Sequence, residues 1–158
     1  MNAHHALKTL AGHLGLGDTE FDADDRLTIR LGDGATMYGA RIDDDNIEWS
    51  VPLPDLDYAD PDMMAVMLEV NCLGAGTGAG RMAVDPDNAA FYGERWITRG
   101  MEADEVERRF DELAVQATYW LTEGGDLLLE RAQARQAAQG DTRPLGGASD
   151  GDAMMLRV

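Results

Sequence analysis

Cysteine is almost missing from this sequence. Cys72 is its one thiol, which excludes an internal disulfide framework and a cysteine-built metal cage, and makes a reducing, cytoplasmic setting the simplest expectation. Long apolar runs are missing as well. The longest, MMAVMLEV at residues 63–70, falls far short of a membrane span, and no charged-then-apolar leader opens the chain. Cations are scarce: 13 Lys plus Arg stand against 30 Asp plus Glu, giving a formal net charge of −17. Such a field repels phosphate backbones and anionic lipid, so nucleic acid and membrane insertion are not expected. It favours solubility, and it favours cationic or weakly folded partners that must be kept dispersed. Acidity that merely keeps a protein soluble has the same composition.

What is present fits one domain. The length of 158 residues allows a single compact core, and 44% apolar content is ordinary for a globular chain. Leu7, Leu10 and Leu14 recur at helical spacing with Ala3, Ala6 and Ala11 beside them, predicting a helix over 3–14 that ends at Gly15 and Gly17. Three alternating segments follow. Leu27, Ile29 and Leu31 share one face against Thr28 and Arg30; Met37, Gly39 and Arg41 oppose Tyr38, Ala40 and Ile42; Ile47, Trp49, Val51 and Leu53 share a face. Asp33-Gly34 and the Asp43–Asn46 segment supply the turns of an antiparallel meander.

Asp60 or Asp62, with Pro61, can cap a helix over 61–73. Its apolar residues form two flanks, Met63, Met67 and Val70 on one and Met64, Leu68 and Cys72 on the other. A helix apolar on nearly all sides is buried on more than one of them, and a partner subunit is the economical second cover. Two further strands flank Pro86-Asp87-Asn88, with Met82 and Val84 on the first and Phe91, Tyr92, Trp96 and Ile97 on the second. A long helix over 102–121 then buries Val106, Phe110, Leu113, Ala117 and Trp120. Gly124-Gly125 breaks that pattern. The expected architecture is α+β, in the order α-β-β-β-α-β-β-α, with a mainly antiparallel sheet of about five strands over residues 1–122. Residues 123–158 read as a C-terminal extension, with a further helix over DLLLERAQARQAA and then a flexible tail.

NCLGAGTGAG, residues 71–80, holds the looser dinucleotide fingerprint Gly74-x-Gly76-x-x-Ala79. That motif needs a strand before it and a helix opening within it. Here a helix precedes it, and Pro86 follows before a new helix could complete two turns. Turning the chain is the stronger reading; a small-ligand or nucleotide-binding protein using loop 74–80 is the alternative. No catalytic residue emerges. Cys72 lacks a histidine partner, serines are few, and carboxylates are too abundant to discriminate. His4, His5 and His13 read as solvent-facing rather than zinc ligands. Asp22, Asp24 and Asp25, like Asp43–Asp45, lack the EF-hand pattern and read as solvated turns, so no metal site and no cofactor are expected. Nine methionines suit either core filling or an adaptable binding surface. Met64 reads as core, whereas Met63 and Met67 suit a core or a pairing face equally.

The stretch VMLEVNCLGAGTGAGRMAVDPDNAAFYGERW, with the element order and the acidity, resembles the type III secretion chaperones of the Tir chaperone (CesT-like) family. Asn71, Leu73, Gly80, Met82, Val84 and Asp85 match its pattern of helix end, glycine bend and strand. Phe110, Leu113, Ala117 and Trp120 look like its last helix, and the likeness covers about residues 5–122. The resemblance implies a non-enzymatic, acidic homodimer in the bacterial cytoplasm. It would bind the N-terminal segment of a secreted effector, keep it extended and soluble, and present it to the secretion apparatus, whose ATPase is a further implied partner. It places the dimer interface at Met63, Met67, Val70, Met82 and Val84. Effector contacts are expected from apolar patches on the first helix and the sheet, at Leu7, Leu10, Leu27, Ile29, Met37 and Trp96. Plain core is the alternative for each, and leads for Leu10 and Ile29. A regulatory acidic protein with no secreted client would differ only in its partner.

Overall fold

The computed structural model describes residues 1–32, 35–56, 59–84 and 89–141. Helix α1 (Ala3–Leu14) starts where the Asn2 side chain accepts the His5 amide and stops at left-handed Gly15. Strands β1 (Arg26–Leu31), β2 (Ala35–Arg41) and β3 (Asn46–Pro52) follow. Helix α2 (Pro61–Asn71) is capped by the Asp60 carboxylate and runs into a 3₁₀ turn over Cys72–Gly74. Strands β4 (Arg81–Val84) and β5 (Ala90–Ile97) and helices α3 (Ala103–Leu121) and α4 (Glu123–Asp141) complete the fold. The five strands form one antiparallel sheet in the order β1-β2-β3-β5-β4, so β1 and β4 are its edges. The expected α+β class and strand count are thus observed, and α4 lies where a further helix is expected after the three of residues 1–122, longer than that segment and starting at Glu123. Asp33-Gly34 and the Pro86-Asp87-Asn88 turn lie outside the described residues.

The register sorts side chains by face. Leu27, Ile29, Met37, Ile47, Trp49, Val51, Tyr92 and Trp96 all point to one side and are buried there in a single cluster with Leu7, Leu10, Phe110, Leu113 and Trp120 from the helices. Trp49 stacks obliquely on Trp96 at 5.2 Å and edge-on to Phe110 at 5.8 Å. Gly39 leaves room for that indole: a Cβ there would stand 2.7 Å from the Trp49 ring. Glu94 is a charged exception deep in the inner face, while Arg41, on the same face at the end of β2, pairs with Asp25. Burial pushes the Glu94 carboxyl up, and the Arg109 guanidinium at 3.7 Å partly opposes that shift.

Helix α2 is covered on two sides by its own chain. The Met63, Met67 and Val70 flank faces the core. Against the side carrying Asp62, Val66 and Glu69 lies α4, which buries Leu128 and Ala132. Arg135 ion-pairs with Asp62 and Glu69, while Gln136 and Gln139 donate to the Asp60 and Asp62 carboxylates at 2.8 and 2.7 Å. Part of the cover that periodicity assigned to a partner is therefore α4. The Gly124-Gly125 pair makes this return possible: a Cβ on Gly124 would meet the Trp120 ring at 2.5 Å, and one on Gly125 the Trp120 carbonyl at 2.8 Å.

The seat of α4 is testable. Leu128→Ala should cost about 2–5 kcal/mol in denaturant unfolding, the usual range for emptying a buried leucine site. Leu127→Ala, one position along and 41% exposed, should leave stability nearly unchanged. Equal effects would place α4 elsewhere.

Candidate interaction surface

The glycine stretch is a packed bend. Gly74 and Gly78 take φ of 73° and 61°, the left-handed region where a side chain is strained. The loop closes over Tyr92, whose hydroxyl donates to the Thr77 carbonyl at 3.0 Å, and a Cβ on Gly80 would lie 2.3 Å from that phenol ring. A helix precedes the bend and a strand follows it, so the element arrangement of a pyrophosphate site is missing on both sides. Burial, then the neighbouring Glu94 carboxylate, push the Tyr92 phenol up to about 12.

Both sheet edges are partly sealed by side chains. On β4, the Asn71 amide donates to the Met82 carbonyl at 2.8 Å and accepts the Met82 amide at 2.9 Å, closing that edge where another strand would pair. On β1, the Asp22 carboxylate accepts the Arg26 amide at 2.9 Å, and the Asp22 amide donates to the Arg26 carbonyl at 2.8 Å. By the alternation of an antiparallel ladder, Thr28 and Arg30 turn their amides and carbonyls the same way as Arg26. Nothing among the described residues pairs with them. Among the described residues, the Thr28–Arg30 half of β1 is an open stretch of sheet edge.

Beside that edge lie two unlike surfaces. Below, on the inner side, Leu31 and Gly32 face Ala114, Val115 and Thr118 across an open groove of about 340 Å³, with Val115 66% exposed. Above is the outer face of the sheet, which none of the described helices covers. Its centre is small, with Ala40, Ser50 and Gly93 between Tyr38 and Phe91, and its charged members are Arg26, Arg30, Arg81, Arg95 and Glu48. A second exposed surface runs along α2 at Leu68 and Cys72 and reaches Leu73, which is 99% exposed with a left-handed φ of 53°.

The residues singled out for effector contact lie elsewhere. Leu7, Leu10, Leu27, Ile29, Met37 and Trp96 are all buried in the protomer core, none more than 8% exposed. Physically, alternation and leucine spacing mark the face that packs, and here that face is already occupied by the chain's own helices. Met63, Met67, Val70 and Met82 are likewise interior and Val84 half-buried, so the outward α2 flank is the Met64, Leu68 and Cys72 one. Sequence reasoning missed Thr28 and the outer arginines as surface. The available signal was charge sign, since arginines at alternating strand positions stand out in so acidic a chain.

The acidic turns hold themselves. Asp43 accepts the Asp45 amide at 2.9 Å and the Asn46 side-chain amide at 2.7 Å, which holds its carboxyl below the usual range. His13 joins α1 to α3 through Asp111 at 3.1 Å and Glu107 at 3.7 Å. Among the described residues no group of three or more His, Cys, Asp or Glu side chains is placed to hold a metal, and no helix is long and apolar enough to cross a membrane.

Comparison with known proteins agrees with this geometry. A family model described as the Tir chaperone protein (CesT) family matches residues 5–92. No curated protein sequence matches the chain. Among solved structures, the Yersinia pestis type III secretion chaperone SycH in complex with a stable YscM2 fragment aligns with a TM-score of 0.56 at 15% identity. It covers 73% of this chain and 96% of that one. The ExsC-ExsE complex gives 0.62 at 11% identity, covering 77% and 95%. The heterodimeric ExoU-SpcU complex of the Pseudomonas aeruginosa type III secretion system gives 0.55 at 16%, covering 72% and 93%. At these identities the likeness is one of fold.

Tyr92 gives a pH test of the bend. Its phenol ionises near 10 when unfolded and holds its proton to about 12 when folded. Its contribution is therefore complete below pH 10 and lost as pH rises from 10 to 12. Stability of the intact chain should fall across that window, and Tyr92→Phe should flatten the fall; identical alkaline profiles would contradict a buried phenol.

Proposed function

The chain belongs to the Tir chaperone protein (CesT) family, and we propose that it is a type III secretion chaperone without catalytic activity. It binds the N-terminal segment of one or more secreted effectors in the bacterial cytoplasm, holds it extended and soluble, and hands it to the secretion apparatus and its ATPase. One observation carries this reading: the Thr28–Arg30 edge of β1 is open, with an apolar groove on one side and a bare sheet face on the other. An extended segment added there gains main-chain hydrogen bonds from the edge and side-chain contacts from both surfaces. Ordering the segment costs several kcal/mol, which the apolar groove and the ladder together offset.

The protein works as a homodimer in this account, and the pairing surface is the outward flank of α2. Leu68 and Leu73 are too exposed, at 67% and 99%, for residues of their size to be left in water without cause. Met63, Met67, Val70, Met82 and Val84 support that flank from beneath.

Affinity capture from the native cell, followed by mass spectrometry, should recover a secreted protein through its N-terminal region. Thr28→Pro should lose that client while melting within a few degrees of the parent, because the missing amide points outward on an edge strand. Retention of the client by Thr28→Pro would refute strand addition at β1. In sedimentation, the intact chain should run as a dimer at micromolar concentration and Leu68→Lys with Leu73→Lys as a monomer. A monomeric parent would overturn the pairing.

A further inference from the structure

Resting on the strand-addition reading above, we propose that the segment added to β1 is acidic, with Asp or Glu at alternate positions facing the outer side of the sheet and apolar residues at the positions between. Net charge argues for the opposite. A chain at −17 attracts cationic partners, and a segment chosen by that field would carry lysine and arginine. The local arrangement differs from the average. Among the described strand residues, four arginines and one glutamate face the outer side. Arg95 is 3.7 Å from that glutamate, Glu48, and Arg81 turns to the Gly78 and Gly80 carbonyls. Arg26 and Arg30 are exposed and, among the described residues, have no ion-pair partner.

Those two arginines flank Thr28 on the edge strand itself. A strand added along Thr28–Arg30 sets alternate side chains beside Thr28 and Arg30, with Arg26 at its sealed end, at the cross-strand spacing where opposite charges attract and like charges repel. The intervening side chains fall on the other side, toward the Leu31–Val115 groove, which is apolar. At contact these neighbours lie within a few ångströms, whereas the field of the acidic body is screened over about 8 Å at physiological salt. Beyond the Asp22 carboxylate, which lies at the sealed Arg26 end, the near charges on the outer side are Arg26 and Arg30, and they decide the sign along the open half.

Three short fluorescein-labelled peptides test this, alternating valine with glutamate, serine or lysine, each titrated into the full chain by anisotropy. The valine–glutamate peptide should bind roughly tenfold tighter than valine–serine and weaken as salt is raised, and valine–lysine should bind weakest. Arg26→Glu with Arg30→Glu should reverse the order without changing the melting profile, since both side chains are exposed, and Thr28→Pro should abolish binding of all three. A lysine peptide that binds the parent as well as the glutamate one, an order that survives the double substitution, or no binding of any peptide would each overturn the proposal. A captured client lost on Thr28→Pro but lacking acidic residues in its bound segment would remove this inference alone, leaving strand addition standing.

Discussion

One sheet has two faces, and the described helices cover only one of them. Most of the large apolar strand side chains point the same way, with Tyr38, Phe91 and Ile97 on the other face, and Trp49 and Trp96 meet at the centre of the inner side with Phe110 edge-on to Trp49. The helices must seat there, because that is where burial returns about 25 cal/mol for each Å² of apolar area. The outer face keeps a small centre, Ala40, Ser50 and Gly93, with Tyr38, Phe91 and Ile97 beside it and a border of arginines. The bare face is thus a consequence of how the core is filled, and it gives the protein a broad surface that its own packing does not consume.

The edges follow the same economy of partners. A free edge invites unwanted pairing, and the chain blunts both of its own with short polar side chains, Asn71 on β4 and Asp22 on β1. The seals are local. Asn71 occupies the middle of a four-residue strand, while Asp22 occupies only the first residue of a six-residue one. That difference leaves β1 with the longer unsealed stretch. The glycine bend belongs to the β4 seal, since folding the loop over Tyr92 brings the strand back beside the end of α2.

Much of the fold was legible in the sequence. Leucine spacing placed α1 at its observed limits, alternation placed the meander, and the Val106–Trp120 stripe placed α3. The proposed binding surface was not legible by the same signal, for a physical reason. Periodicity reports which side chains pack, so Leu7, Ile29 and Trp96 were found because they are core. Residues left for a partner sit at the intervening positions, Thr28 and Arg30 among them, where alternation says only that they face away. For α2, spacing separated two flanks but could not order them, because the contribution of α4 depends on a fold-back at Gly124 that no periodicity encodes.

The central claim, that an extended client segment continues the sheet at β1, is tested most directly by amide hydrogen exchange on the chain with and without its captured client. The account predicts that the Thr28 and Arg30 amides exchange freely alone and become strongly protected in the complex, while the Met82 amide, already held by Asn71, changes little. Protection that appears elsewhere and leaves Thr28 and Arg30 exchanging as before would contradict it.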